Sequence, residues 1–359
     1  MLKIKFCMGV MEINTVIGCR VKCDFCPQDL LIKEYSSINN KTDINYGSPE
    51  LMTFETFKTC LLKIPKSVPI SFSGYAEPFL NPECSKMLVY AFNSGYIVEV
   101  FSTLVGLTLK DIDEIKHIPF KIFHVHLPDE EMYAKIAVNS NYLEVFKHLL
   151  ASNISHLTCM TMGTVHPKIK LLLKSNVLAD KMINRAGNLK SIDTEFKRKT
   201  GSLVCSRASK TSLVDSLDQN VLLPNGDVTL CCMDYGLKNI MGNLVESSYQ
   251  SLFQNENFEN IRKKMKSDND EIICRSCPDA IFETDFNEQV NLFTQDHSND
   301  PTSLSIIQLY QTLLHRYPDK AGFDFFYSKM SSSELNLKDI ETQMKQSPEY
   351  NSLQHELRF

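Results

Sequence analysis

Residues 17–28, IGCRVKCDFCPQ, set Cys19, Cys23 and Cys26 at a C-x3-C-x2-C spacing, with no fourth cysteine or histidine nearby to complete a set. Structural zinc almost always takes four protein ligands, whereas an iron-sulfur cube held by three thiolates leaves one iron open to another molecule. Three thiolates are therefore what an open site needs. A zinc site completed from a distance, by His124 or His126, is the competing reading; those two histidines alternate along a strand-like run and also read as core or surface residues. A second group, Cys205, Cys231, Cys274 and Cys277, supplies four thiolates from separate stretches. Four would close a cube completely, and they would equally hold structural zinc. The C-x2-C at 274–277 also reads as a redox pair, but no strand-to-helix pattern precedes it. Cys231 and Cys232 are adjacent, and on a strand their side chains point to opposite faces, so only one of them faces a metal. Cys7, Cys60, Cys84 and Cys159 stand singly and read as small buried hydrophobes.

The rest of the chain must position these thiols. With 359 residues it is long enough for roughly two domains. Its twelve cysteines fit clustered metal or redox use in a reducing compartment better than disulfides. The net charge of −5 is spread along the chain and provides no basic face for a phosphate backbone, so nucleic acid is not an expected partner. The N-terminal stretch lacks a signal-peptide pattern, and no apolar run approaches the length of a spanning helix. A cytoplasmic protein without membrane contact is the expectation.

From residue 11 to about 185, β-rich runs alternate with helical patterns. The strand candidates are MEINTV, VPISFSG, YIVEVFST, FKIFHVHL, ISHLTCMT and VLADKMINRA. Helical patterns begin at Thr53, at Glu83 (closing on Gly95), at Thr108 and at Asn141. Strand and helix in steady succession predict parallel pairing, here as an α/β fold with a partial (β/α)6 TIM-like barrel. In such barrels chemistry sits where strands end, and Cys19 follows the first strand. The polar run KEYSSINNKTDINYGSPE predicts a long surface loop, which would serve as a substrate entrance or as a plain insertion. In NVLLPNGDVTLCC, Asn225-Gly226 predicts a two-residue hairpin turn. Polar linkers are expected at 186–200 and 296–303. Beyond them lie three apolar stripes: Ile306, Leu309, Tyr310, Leu313 and Leu314; Phe323, Phe326, Tyr327 and Met330; Leu335, Ile340 and Met344.

The cysteine spacing after a first strand resembles the signature of the radical S-adenosylmethionine (SAM) enzymes. The resemblance implies a [4Fe-4S] cluster on Cys19, Cys23 and Cys26 whose open iron is chelated by SAM, and an electron that cleaves SAM to a 5′-deoxyadenosyl radical. It also implies roles for further residues. Phe25 matches an aromatic position that lies against the adenine. SFSGYAEPFLNPE resembles the family's Gly-Gly-Glu-Pro motif, with Gly74, Tyr75, Ala76 and Glu77 holding the SAM amino group, although Tyr-Ala replaces the usual small pair. Taken on its residues alone, Glu77 also reads as a solvated loop acid. Ser102 and Thr103 stand where a ribose contact is common, and NRAGN, with Arg185, resembles the last-strand motif. The second cysteine group, with GNL at 242–244 and Arg262 ahead of the final pair, resembles the SPASM-type domain, which implies one auxiliary [4Fe-4S] cluster; cysteines for another are lacking beyond Cys277. LYQTLLHRYPDKAGFDFFYSKM followed by SPEY resembles a small bacterial helical module of unknown function.

The expected organisation is a radical SAM core over 1–185, a SPASM-like domain over 201–290 and the helical module over 302–353, the last a docking unit or a stabilising cap. The resemblance implies an enzyme that modifies a peptide or protein, with an external electron donor of flavodoxin or ferredoxin type. That the chain starts at its first strand without a fused leader-binding segment weakens the peptide preference. The alternatives are a radical SAM step on a sugar or other small metabolite, and a non-catalytic binding protein whose cysteines hold structural metal.

Overall fold

The computed structural model describes residues 9–174, 177, 179–189, 197–207, 210–211, 214–215, 217–285, 300–314, 318, 320–347 and 350. Cys7 and parts of the two linkers and of the helical module lie outside them. Its centre is a run of parallel strands, β1 (Val10–Ile13), β4 (Ile70–Phe72), β5 (Val98–Ser102), β6 (Ile122–His126) and β7 (Leu157–Met160), paired in that order. A short ribbon of β2 (Val16–Ile17) and β3 (Glu50–Leu51) lies between β1 and β4 in the chain. The crossovers carry α2 (Phe54–Leu61), α3 (Cys84–Asn93), α4 (Leu109–Ile115) and α5 (Ser140–Ala151). Local signals start three of these helices: Thr53 and Asn139 each accept a first-turn N–H, and Thr108 with Asp111 forms a reciprocal capping box. Met11, Ile13, Ile70, Phe72, Val98, Val100, Phe123 and Val125 share one core with helix residues such as Phe57, Leu88, Ile112 and Val145.

Alternation sends the neighbouring strand residues to the other face, and that face is polar. Glu12, Ser71 and Glu99 lie in one register row, and Phe101, His124 and Thr158 in the next. Glu12, Ser71, Glu99, His124 and Thr158 are buried, while Phe101 is 40% exposed.

Two strand expectations change. VLADKMINRA contributes a single parallel bridge, Ala179 to Thr161, instead of a full sixth strand. Positive φ at Arg185, Ala186 and Gly187 (47°, 54° and 84°) curls the chain out of an extended path. The sixth parallel position is taken at the opposite edge by β11 (Gln219–Leu222), which pairs with β1 and sets Asn220 beside Met11. β12 (Asp227–Thr229) and β13 (Ile240–Asn243) continue the sheet antiparallel, in the order β13-β12-β11-β1-β4-β5-β6-β7. The hairpin turn between β11 and β12 has three residues, not two. The Leu223 N–H donates to the Asp227 carbonyl, the Gly226 N–H donates to the Leu223 carbonyl, and Gly226 sits at φ +92°.

The predicted long loop is also shorter. Its first part is α1 (Gln28–Ile38), which buries Gln28, Leu31 and Tyr35. Leu31 and Tyr35 stand one turn apart and supply the apolar face; the surrounding run of Ser, Asn and Lys masks it in the sequence. The C-terminal helices Pro301–Leu313, Lys320–Ser331 and Leu337–Gln346 pack around their own core of Ile306, Tyr310, Phe323, Ile340 and Met344, as the stripes predict. No helix among the described residues is long and apolar enough to cross a membrane.

Candidate metal and cofactor site

The loop after β1 and β2 brings Cys19, Cys23 and Cys26 together. Burial pushes the Cys19 thiol up to about 12, and the nearby Cys26 thiol adds to the shift. Cys23 is raised in the same way by burial, then by Cys26 and Cys19. The set is tied down locally. The buried Gln28 accepts from the Cys19 N–H at 3.3 Å and donates through Nε2 to Cys26 Sγ at 3.4 Å and to the Tyr75 carbonyl. Cys23 Sγ donates to the Ala134 carbonyl at 3.2 Å, and the Asp24 N–H meets Tyr133 O at 2.8 Å, which anchors the loop to the segment after β6. From the second region, the Tyr235 hydroxyl lies 3.4 Å from Cys26 Sγ.

Gly74 to Glu77 follow β4. Gly74 has φ +92°, and a Cβ there would meet Val221 at 3.1 Å, so glycine suits both the backbone and the space. Asn14, at the end of β1, accepts from the Tyr75 N–H at 3.1 Å and fixes this turn against the neighbouring strand. Ala76 packs half-buried against the main core. Tyr75, which replaces a small residue, is buried; its hydroxyl meets Thr229 Oγ1 at 2.8 Å and the Cys231 carbonyl at 2.7 Å.

Glu77 is buried rather than solvated. Its Oε1 accepts from the Phe79 N–H (3.0 Å) and Ser102 Oγ (2.9 Å), and its Oε2 from Thr103 Oγ1 (2.6 Å) and the Thr103 N–H. Burial raises its pKa, and the donors from Thr103, Phe79 and Ser102 oppose that rise. An ionised carboxylate offers about four acceptor positions, and here all are engaged. Ser102 and Thr103 therefore meet Glu77, and the three residues brace the ends of β4 and β5 as a unit.

One face of Phe25 is covered by His126, whose ring lies parallel at a centroid distance of 5.0 Å. Arg185 Nε donates to the Phe25 carbonyl at 3.2 Å. His124 meets Thr158 Oγ1 at 2.6 Å. Burial pulls both histidines down to about 4, so both are neutral near pH 7. Nε2 of His126 is buried without a hydrogen-bond partner, and an orphaned polar atom beside Phe25 fits a site that receives a polar ligand. Among the described residues, no three His, Cys, Asp or Glu side chains are grouped for a single metal ion. A four-iron cube, with iron and sulfide on alternate corners, holds its thiolates farther apart than one ion does. A loop of three soft thiols, with Gln28 and Tyr235 reaching Cys26 Sγ, fits such a cluster.

The second thiol set is assembled from distant segments. β8 (Leu203–Cys205) pairs with β14 (Ala280–Phe282), which sets Cys205 opposite Ala280 and near Cys277. Cys274 and Cys277 share one turn, with the Cys277 N–H donating to Cys274 O at 3.2 Å. Burial and then the neighbouring Cys232 and Cys274 thiols raise Cys231. Cys232 turns elsewhere: Arg207 Nη1 lies 3.5 Å from its sulfur, and burial and Glu12 push its thiol up to about 11 against the pull of Arg207 and Arg185.

Arg275, between the last two cysteines, escaped the sequence reading. It is 1% exposed and donates to the carbonyls of Lys199, Gly201, Lys264, Ser267 and Asp270 at 2.7–3.3 Å. The arginine singled out in the sequence, Arg262, instead pairs with Glu259 on the surface of α7 (Glu256–Lys266). Gln28 and Tyr235 carry no sequence signal for the site: an amide beside a cysteine loop is common, and Tyr235 lies far from Cys26 in the chain. His126 reads in the sequence as a distant zinc ligand and is found instead stacked on Phe25.

A family model described as an iron-sulfur cluster-binding domain, SPASM, matches residues 216–278. These residues include Cys231, Cys274 and Cys277. No curated protein matches the sequence. Solved structures with a similar chain course include BtrN in complex with AdoMet and 2-DOIA (17% identity, TM-score 0.47, 73% of this chain and 88% of that one). Others are anSMEcpe with bound AdoMet (12%, 0.46, 75% and 86%) and Streptococcus suis SuiB bound to the precursor peptide SuiA (12%, 0.48, 71% and 66%). Identities and TM-scores this low describe a general chain course and decide nothing about chemistry. Residues 216–278 thus match an iron-sulfur cluster-binding domain of the SPASM type, and the parallel α/β core carries a separate three-thiol loop ahead of it.

Proposed function

We propose that this protein is a radical SAM enzyme with two clusters. Cys19, Cys23 and Cys26 would hold a [4Fe-4S] cluster with one open iron, and Cys205, Cys231, Cys274 and Cys277 a closed auxiliary one. When bound, cluster and SAM together supply a 5′-deoxyadenosyl radical on one-electron reduction. The observation that carries the reading is the three-thiol loop at the end of β1, gathered by Gln28 beside the Gly74–Glu77 turn.

The chain's own residues would do the positioning. Phe25, stacked on His126, would lie against the adenine end, and the Gly74–Ala76 turn would hold the amino group. Glu77 holds Ser102 and Thr103 in place, and Arg185 fixes the Phe25 backbone. The substrate class we favour is a peptide or protein, on the strength of the domain type. The polar sheet face with Glu12, Ser71, Glu99 and His124 suits a sugar or other small polar metabolite as the second reading. An external flavodoxin- or ferredoxin-type donor would supply the electron.

The test is anaerobic reconstitution followed by dithionite reduction with SAM. Release of 5′-deoxyadenosine with about eight irons per chain is expected for two four-iron clusters. A chain that takes up zinc in place of iron and leaves SAM intact would favour a structural, non-catalytic protein.

A further inference from the structure

Tyr235 belongs to the second region, four residues beyond Cys231, yet its hydroxyl reaches Cys26 in the first thiol loop, 3.4 Å from the sulfur. The residue is 3% exposed, and its ring packs edge-on against Tyr75 at a centroid distance of 4.7 Å and 63°. Tyr75 is held in turn through its hydroxyl by Thr229 and the Cys231 carbonyl, and through its own carbonyl by Gln28. Two tyrosines thus span the gap between a ligand of one thiol set and the backbone of a ligand of the other. Neither ring is free to turn away.

Once Cys26 serves as a metal ligand it is a thiolate without a proton, so in this pair the hydroxyl donates. A hydrogen bond to a ligand sulfur withdraws electron density, and the extra negative charge of the reduced cluster makes that bond stronger in the reduced state. Hydrogen bonds to the sulfurs are among the factors that set cluster potentials.

We propose that Tyr235 is a positioning residue of the second region that donates a hydrogen bond to the Cys26 thiolate and thereby raises the reduction potential of the cluster on Cys19, Cys23 and Cys26. The proposal rests on the functional reading above and assigns a role to a residue outside the cysteine loop and the SAM-binding turns. It gives Tyr75 a purpose as well: the bulky side chain in the turn after β4 is the wall that keeps the Tyr235 ring in place.

The experiment is an EPR-monitored redox titration of the anaerobically reconstituted full chain, wild type against Tyr235→Phe. In Tyr235→Phe the iron content and the SAM-induced change of the EPR signal should persist. The midpoint should move negative, with the reduced-to-oxidised ratio at a fixed potential falling roughly tenfold, about 59 mV for a one-electron couple. An unchanged midpoint in Tyr235→Phe with iron and SAM response intact would overturn the proposal alone. Loss of iron in Tyr235→Phe would also overturn it, since the hydroxyl would then support cluster retention and not potential. A wild-type chain without a SAM-responsive cluster would overturn both the proposal and the functional reading.

Discussion

The two thiol sets are built in opposite ways. Cys19, Cys23 and Cys26 sit on one short loop, and its neighbour Gln28 ties the first to the last. Cys205, Cys231, Cys274 and Cys277 come from three separate segments, joined by the β8–β14 pair and by one buried arginine that collects five carbonyls. A ligand set encoded in one loop can keep an open position because the rest of the fold is free to shape what enters. A set assembled from distant segments links those segments when filled, as a closed site does. On the proposed function, the first site would exchange a ligand and the second would hold the chain together and stay shut.

The largest effect should come from breaking that difference directly. Replacing Cys23 by Ala should abolish 5′-deoxyadenosine release and leave about four irons per chain, since a cube with two remaining thiolates is labile. Replacing Cys274 and Cys277 together should also remove about four irons yet retain SAM cleavage in the protein that stays folded. Iron analysis and product release on both variants check this, and equal loss of cleavage in both would erase the distinction.

Arg275→Met should be next in size. It strands five carbonyls, two of them in the last turn of α7 and just past it, where a cation is favourable. Several lost charge-assisted bonds make a cost of about 3 kcal/mol or more. Hydrogen exchange should accelerate across 256–283 while the 10–26 segment stays protected. Uniform loosening of both regions would mean that the two sites are not separately built.

Glu77→Ala should weaken the first site more gently. It leaves the Phe79 and Thr103 N–H groups and two hydroxyls without their acceptor, a cost of about 1–3 kcal/mol in stability. The concentration of SAM needed for half-maximal cleavage should rise roughly tenfold or more. A SAM dependence like that of the wild type would remove Glu77 from the cofactor's support.

Much of this was legible before the structure. β1 and β4–β7 read directly as β-rich runs, and α2, α4 and α5 start at Thr53, Thr108 and Asn139 caps. The three-thiol loop was legible because its ligands are contiguous. The pairing of β11 with β1 was not, because nothing in NVLLPNGDVTL encodes a partner more than two hundred residues upstream. α1 was hidden because only Leu31 and Tyr35 of its apolar residues are buried, while Leu30, Ile32 and Ile38 lie outside that face and blur its helical period. Arg275 looked like any surface arginine between two cysteines, and Tyr235 carried no motif; both acquire meaning only from the groups the fold brings to them.

His126 should give a smaller, pH-dependent signal. Its ordinary pKa in an unfolded chain is about 6.5, and burial lowers it to about 4 in the folded chain, with His124 and Arg185 adding to the shift. Above pH 6.5 both states are neutral and stability is unaffected. As pH falls from 6.5 toward 4, the unfolded chain takes the proton first and stability is lost. His126→Phe, which keeps a ring against Phe25, should flatten that acid slope in denaturant melts; an unchanged slope would show that the buried histidine does not contribute to it.

The smallest effect is expected from removing the helices from Pro301 onward. They pack around their own core and bring no cysteine. Cluster content and SAM cleavage should match the full chain, and loss of either would make those helices part of the catalytic fold.

The most direct test of the central claim, that only the three-thiol loop leaves an iron open to SAM, is pulsed EPR on the reduced protein with SAM labelled in its amino and carboxylate groups. The account predicts coupling of the label to one cluster in the wild type, the same coupling when Cys274 and Cys277 are both Ala, and none in Cys23→Ala. Coupling that survives in Cys23→Ala, or its absence from the wild type, would contradict it.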